Sequence, residues 1–233
     1  MPHRIGAVIG PSTRLVALLG HPVAHSLSPR MQNAAFAARA LDWAYVALDV
    51  PPERLSEAVR GLAAAGFAGA NVTIPHKRAA VDLCDEIESD VSVNTLVFED
   101  GRVLGSSTDA EILRGLEWTS AAIVGDGGAA RAFAAALPGA HTFARRGEWP
   151  PDTDGADLVV HATTVADRPL FAPRSGQTVI DLPYPDSATA RAAREAGARI
   201  LDGLDVLVAQ GAASFERWTG VPAPLEVMRA AVR

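Results

Sequence analysis

The run Asn71-Val72-Thr73-Ile74-Pro75-His76-Lys77 puts an amide, a hydroxyl and an amine on one short stretch of chain. An amine can hold and pass a proton and can stabilise negative charge developing on an oxygen. An amide and a hydroxyl can orient a polar ring beside it. The stretch follows the apolar run 67–70 and precedes a helical pattern starting near Arg78, which reads as a strand end turning into a helix start. In open α/β sheets the carboxyl end of a strand is where ligands sit. Pro75 fixes φ and lacks an N–H, so the turn is stiff and the lysine has less freedom to wander. A surface loop with a solvated lysine is the competing reading of this stretch taken alone.

Other polar residues fall at element ends. Ser26 and Ser28 share a loop and could grip a polyol or a carboxylate, although Ser28 followed by Pro29 also suits a helix start with serine at N-cap. Asn94-Thr95 and Thr108-Asp109 are polar pairs that serve equally as caps or turns when read singly. His21 and His25 do not make a metal pair, because Pro22 breaks the helical register between them and no carboxylate lies nearby in sequence. Gly125-Asp126-Gly127-Gly128 follows a strand and opens a helix, where bare backbone N–H groups and the helix dipole favour a pyrophosphate. Glycine turns of this kind are common, and a carboxylate at 126 suits a pyrophosphate only if it points outward. Arg145-Arg146 ends the next strand, the place where a dinucleotide fold meets the adenosine ribose; arginines there suit a 2′-phosphate and so NADP over NAD, the alternative being a solvated arginine pair.

Positioning these groups requires strands at 15–19, 43–48 and 67–72 alternating with helices at 29–40 and 52–65, which implies parallel pairing in an α/β layer. A short helix is expected over 77–88, a hairpin around Glu99-Asp100-Gly101, and a helix from Ser107 to about Leu116. A second α/β unit follows. It has strands at 121–124, 141–144, 158–162, 178–182 and 199–201, and helices at 129–137, 187–196 and 203–218. A last helix spans 222–232. The 233 residues, 48% of them hydrophobic, can build a large core in one or two domains. A net charge of −6 speaks against general nucleic-acid binding, and a single cysteine, Cys84, allows neither a disulfide nor a cysteine zinc site within one chain. A reducing cytoplasm is the simplest compartment. No apolar run approaches a membrane span, and Met1-Pro2-His3-Arg4 lacks the apolar core of a signal peptide.

Ser26, Ser28, Asn71, Thr73, Lys77, Asn94 and Asp109 could together line one cleft, and with them the chain resembles the shikimate dehydrogenases over nearly its whole length. The loop Gly20 to Pro29 is similar to the family's substrate-binding serine loop, and Asn71 to Lys77 to the motif holding its catalytic lysine. Val93-Asn94-Thr95 resembles "AVNT". Gly105 to Asp109 resembles "GxNTD", which holds the catalytic aspartate. Gly125 to Arg131 resembles the NADP loop, Asp181 to Pro185 resembles "DLVYxP", and Asp202 to Gly220 resembles the closing signature.

The resemblance implies an N-terminal α/β substrate domain (1–106 with 219–233) and a shortened Rossmann-like NADP-binding domain (107–218). It implies NADPH-dependent, reversible reduction of 3-dehydroshikimate to shikimate. Lys77 would supply the proton and Asp109 would hydrogen-bond the same hydroxyl. Ser26 and Ser28 would bind the substrate carboxylate, and Asn71, Thr73, Asn94, Tyr184 and Gln210 the ring hydroxyls or that carboxylate. Gly125, Asp126, Gly127, Gly128, Ala129, Arg145, Arg146, Thr163, Leu182 and Gly203 would meet NADP(H). No metal, membrane or nucleic acid is implied, and the chain would act as a monomer or homodimer. A quinate/shikimate dehydrogenase of relaxed choice and a catalytically quiet binding relative are the alternative readings. Gln32, Ser92 and Ser107 depart from the family's histidine, alanine and asparagine. Only 16 positions separate Arg145 from His161 (161 − 145), too few for the usual helix and strand, and His161-Ala162-Thr163 replaces "NAT".

Overall fold

The computed structural model describes residues 9–88, 92–184 and 186–233. Met1 to Arg4 and Pro185 of the 181–185 motif lie outside the described residues. The chain forms two compact units, Met1–Thr108 with Gly211–Arg233, and Asp109–Gln210.

In the first unit, β1 (Arg14–Gly20), α1 (Ser28–Ala38), β2 (Trp43–Asp49), α2 (Leu55–Ala64) and β3 (Gly69–Val72) alternate in sequence. They are followed by β4 (Glu86–Ile87), β5 (Thr95–Glu99) and β6 (Arg102–Ser106), and the sheet order is β2-β1-β3-β5-β6-β4. The first three strands pair in parallel, as the alternation requires, whereas β5 runs antiparallel to both β3 and β6. The β5–β6 reversal is tight because Asp100 and Gly101 both take positive φ, 50° and 76°, the backbone signs of a primed hairpin turn. Val16, Ala17, Leu18 and Leu19 are all buried, so β1 is covered on both faces, and its continuous apolar run reflects that.

One face packs on Leu55, Val59, Val72 and Leu96. On the other, Phe36 stacks on Phe215 at 5.3 Å and Tyr45 meets Trp218 at 6.0 Å. The Trp218 indole N–H donates to the Leu96 carbonyl at 2.9 Å. Gly69 leaves the space for that ring, since a Cβ there would sit 2.5 Å from Trp218 Nε1. Trp218→Phe removes this bond and leaves the Leu96 carbonyl only its ladder partner on β3, which should lower unfolding free energy by about 0.5–1.5 kcal/mol, read as a lower urea midpoint at unchanged slope.

The helix expected over 77–88 is a correction. Residues 74–80 form turns, Val81–Leu83 is a single 3-10 turn, and the chain then extends into β4, which pairs in parallel with β6. Asp85 holds this path by accepting the Val103 N–H at 2.7 Å, a tertiary bond that overrides the local helical pattern. Cys84 donates to the Ala80 carbonyl at 3.1 Å, and burial, with Asp85 beside it, pushes the thiol up to about 11. Raising a thiol from 9.0 to about 11 lowers its thiolate fraction near neutral pH by about a hundredfold. Iodoacetamide should therefore label Cys84 far more slowly in the native protein than in urea, by roughly that factor.

In the second unit, β7 (Ala121–Val124), α3 (Gly128–Ala136), β8 (His141–Phe143), β9 (Leu158–His161), β10 (Thr178–Asp181), α4 (Ala188–Glu195) and β11 (Arg199–Leu201) build a sheet in the order β11-β10-β9-β7-β8. Every pairing in it is parallel. Ile123, Phe133, Leu158, Val160 and Ile180 form its core on one side. Ser187 caps α4 by accepting the Ala190 N–H at 3.0 Å. The helix expected from Ser107 is instead the 3-10 turn Glu111–Leu113, which ends where Arg114 becomes extended. Residues 144–157 contain neither helix nor strand. Two helices complete the chain, α5 (Gly203–Thr219) and α6 (Leu225–Val232), and α5 runs through the division at 210/211. Among the described residues no helix is long and apolar enough to cross a membrane.

Candidate active site

The turn carrying Lys77 is pinned at successive residues. Thr73 N–H donates to the Leu19 carbonyl at 2.9 Å, anchoring the end of β3 to β1. His76 N–H closes back on the Thr73 carbonyl at 2.8 Å, and the Val93 N–H reaches the Lys77 carbonyl at 3.1 Å. His76 is 1% exposed, and its Nε2 lies 2.7 Å from the Val50 carbonyl. A carbonyl only accepts, so Nε2 carries the proton and donates. The turn is thereby tied to the connection after β2 as well as to β1. His76 is a positioning residue that the sequence reading passed over; its one signal was its place directly before the lysine. Lys77 itself is half-buried.

Beneath the turn lies a buried polar network. Asn71 Oδ1 accepts from the Tyr45 hydroxyl at 2.9 Å, and its Nδ2 faces the Asn94 carbonyl at 3.0 Å, Thr95 Oγ1 at 3.1 Å and Ser214 Oγ at 2.9 Å. The Asn71 amide is thus engaged at both ends by its neighbours. Ser28 hydrogen-bonds the Tyr45 hydroxyl, whose pKa is raised by burial, so the phenol is neutral and donates onward to Asn71. Asn94 Oδ1 receives the Thr108 N–H at 2.8 Å and the hydroxyls of Thr95 and Thr108 at 3.0 and 3.1 Å. Partly satisfied networks of this kind are costly and filled ones rigid, so this one fixes the strand ends at which the chemistry-bearing residues sit.

The serine loop differs from expectation at its cap. Leu27 occupies the N-cap of α1 without a side-chain bond. Ser26 Oγ instead accepts the Ser28 N–H at 3.2 Å, a local turn that outcompetes capping by Ser28. Ser28 is buried beside Tyr45 and Ser26 half-buried, so only Ser26 has partial access to solvent. Gln32, one turn further along α1, donates to the Gly211 carbonyl at 2.8 Å. His21 pairs with Asp49 at 2.6 Å across the surface, and among the described residues no group of His, Cys, Asp and Glu is arranged to hold a metal.

Ser28, Asn71, Thr73, Lys77 and Asn94 thus share the carboxyl ends of β1, β3 and the start of β5 through bonded neighbours. Asp109, Tyr184 and Gln210 belong to the second unit. Asp109 is buried and follows Thr108, which Asn94 holds. Tyr184 is exposed at 36%, with its phenol pKa raised by burial of the ring. Gln210 Nε2 donates to the Leu207 carbonyl at 2.9 Å.

The glycine loop of the second unit joins β7 to α3. Gly125 has φ 135°, and a Cβ there would lie 2.5 Å from the Ala162 carbonyl oxygen, so glycine is required where the loop crosses the end of β9. Gly127 is the N-cap of α3 and supplies no side-chain cap, while Asp126 is exposed on the loop. A Cβ at Gly127 would meet nothing within 4 Å. There is thus room beside the start of α3, whose first-turn N–H groups are the donor set a pyrophosphate accepts from. Arg145 and Arg146 are exposed just past β8, Arg145 lying 5.8 Å from the Trp149 ring centre. Backbone donors and paired guanidinium groups on one edge fit a dinucleotide with an extra phosphate. Thr163 sits at the same loop, its Cγ2 3.4 Å from where a Gly125 Cβ would be, and Leu182 N–H donates to the His161 carbonyl at 3.0 Å. Gly203 is buried at the start of α5.

The profile described as the shikimate dehydrogenase substrate binding domain matches residues 18–96, and that of the shikimate 5'-dehydrogenase C-terminal domain matches 203–233. A relative named shikimate dehydrogenase (NADP(+)) from Methanopyrus kandleri is 40% identical over 283 positions, covering 98% of each chain. The chain belongs to the shikimate dehydrogenase family. A crystal structure of a shikimate dehydrogenase in complex with NADP+ superposes with a TM-score of 0.88 at 32% identity, covering 98% of this chain and 97% of that one. The shikimate 5-dehydrogenase of Thermus thermophilus, in complex with NADP(H) and shikimate, gives 0.83 at 30% identity, covering 95% and 99%. The Methanopyrus alignment is longer than the 233 residues of this shikimate dehydrogenase family member, so it opens gaps in this chain.

Proposed function

We propose that this protein catalyses the reversible reduction of 3-dehydroshikimate to shikimate, with NADPH as the reductant. The observation that carries the reading is the pinned turn: Lys77 stands on backbone tied to β1, to the connection after β2 and to Val93, above a filled polar network. Bound NADPH supplies the hydride to the substrate carbonyl. Lys77 gives its ammonium proton to the carbonyl oxygen as that oxygen gains charge, and takes it back in the oxidative direction. Asp109 hydrogen-bonds the same hydroxyl. Ser26 and Ser28 bind the substrate carboxylate, and Thr73, Asn94, Tyr184 and Gln210 orient the ring. Asn71 contacts the ring with the same amide that Tyr45, Thr95 and Ser214 hold in place.

The first unit serves as the substrate domain and the second as the nucleotide domain. Within the latter, Gly125, Asp126, Gly127, Gly128 and Ala129 hold the pyrophosphate, Thr163, Leu182 and Gly203 border the nicotinamide half, and Arg145 and Arg146 take the 2′-phosphate. The protein works in the cytoplasm as a monomer or homodimer. Shikimate with NADP should give rising absorbance at the NADPH band, with quinate and NAD poorer at equal concentration. An absence of turnover with every pairing of these would refute the reading. Replacing both Arg145 and Arg146 by alanine should raise KM for NADP about tenfold or more and leave KM for NAD within about threefold, since each charge-assisted hydrogen bond lost costs about 1.5–3 kcal/mol.

A further inference from the structure

A line of polar side chains runs through the second unit to Thr163, and its buried members have no part in the reaction above. Asp181, the last residue of β10, and His161, the last of β9, are register partners and both fully buried. Asp181 Oδ1 lies 2.5 Å from His161 Nδ1, and Asp181 Oδ2 accepts the Ser187 hydroxyl at 2.5 Å. On the far side of the ring, His161 Nε2 lies 2.7 Å from Thr163 Oγ1. That oxygen also accepts the Val165 N–H at 3.1 Å. Thr163 is half-buried and borders the Gly125 loop. Histidine stands here in place of the asparagine of the family's "NAT" motif.

Hydrogen-bond accounting fixes what each atom does. The Asp181 carboxylate accepts, so His161 Nδ1 carries a proton and donates. In the neutral ring Nε2 is then an acceptor and takes the Thr163 hydroxyl proton. Thr163, already accepting from Val165, is left with a lone pair and no donor for anything bound at the loop. In the imidazolium Nε2–H donates to Thr163 Oγ1. Both lone pairs are then filled, by His161 and Val165, and the hydroxyl proton is free to turn outward. The protonation state of His161 thus inverts Thr163 from acceptor to donor. The phosphates of a dinucleotide only accept, and favour positive charge nearby.

We infer that His161 is a proton-linked positioning residue, coupling protonation of the His161–Asp181 pair to dinucleotide binding through the Thr163 hydroxyl. This rests on the glycine loop being the NADP site. Among the described residues, Arg194 on α4 carries the charge that acts on Asp181 of β10, and Asp126 stands on the loop after β7. Arg194 is held by Asp186 at 2.7 Å with Asp202 at 3.8 Å, and Asp126 is exposed. Phe171 presents its ring edge-on to the imidazole at 6.4 Å, and β7 adds only Val124.

NADPH binding, followed by the fluorescence of the reduced nicotinamide from acid to alkaline pH with no substrate present, tests this. The wild-type Kd should rise with pH, by up to about tenfold per unit for one linked proton. His161→Asn and Thr163→Val should both bind with a Kd that rises less steeply, retaining only the slope of the nucleotide's own phosphate and the arginine pair. Calorimetry in buffers of different ionisation enthalpy should show proton uptake on binding to the wild type in excess of that for either variant. Identical pH slopes in wild type and His161→Asn would overturn the inference while leaving the dinucleotide site intact. No binding at any pH would overturn the site, and the inference with it.

Discussion

Lys77→Ala should lower the turnover number about 10²–10⁴-fold, the usual contribution of a positioned proton donor, with shikimate affinity changed less than about fivefold. The split follows from where the lysine sits. Its backbone is held by Val93 and, through His76, by Val50 and Thr73, so removing the side chain leaves the turn in place. Of the residues proposed to grip the carboxylate and ring, Ser26, Ser28 and Asn94 lie on other anchors, and Thr73 is held by its own bond to Leu19, so all keep their positions. Steady-state kinetics in both directions and equilibrium shikimate binding measure the two quantities. Equal turnover in the variant would remove the lysine from the chemistry, and a loss of affinity matching the loss of turnover would make it a binding group instead.

Gly125→Ala should weaken NADPH binding by more than tenfold, about 1.4 kcal/mol or more, and leave shikimate binding untouched. At φ 135° an alanine is strained, and its Cβ would press on the Ala162 carbonyl oxygen at 2.5 Å and carbon at 2.9 Å. These are backbone atoms at the end of β9, so the loop or the strand end must shift. Gly127→Ala is the matched comparison. Its φ of −73° is ordinary and a Cβ meets nothing within 4 Å, so folding stability should stay within about 0.5 kcal/mol. Any loss of NADPH affinity there reports ligand contact rather than a damaged loop. Thermal unfolding beside NADPH titration separates the two causes.

The parts of this molecule that were legible in the sequence are those written locally. Apolar runs located β1, β3, β7 and β9, the first three with glycine at one end, and the Asp100-Gly101 pair located the hairpin, because each signal lies within a few residues of its consequence. Residues 77–88 were misread for the opposite reason. Their alanines and apolar spacing favour helix, and what prevents it is pairing of β4 with β6 and the bond from Asp85 to Val103, 18 residues away. The same limit hid the network under the site. Asn71 meets Ser214 across 143 residues, and no pattern around either announces the other. Tyr45 and His76 were invisible as site residues because their importance is in what they hold, which only the fold reveals. His161 was visible as a departure from the family pattern, but its partner Asp181 lies 20 residues on and becomes adjacent only when β9 and β10 pair.

The most direct test of the central claim is isotope transfer. Incubating the protein with 3-dehydroshikimate and NADPH deuterated at the transferred position of the nicotinamide, then weighing the product by mass spectrometry, follows the reacting atoms themselves. The account predicts shikimate heavier by one deuterium at the new C–H bond, formed in step with NADP. Unlabelled shikimate, or NADPH left unconsumed beside intact 3-dehydroshikimate, would contradict it.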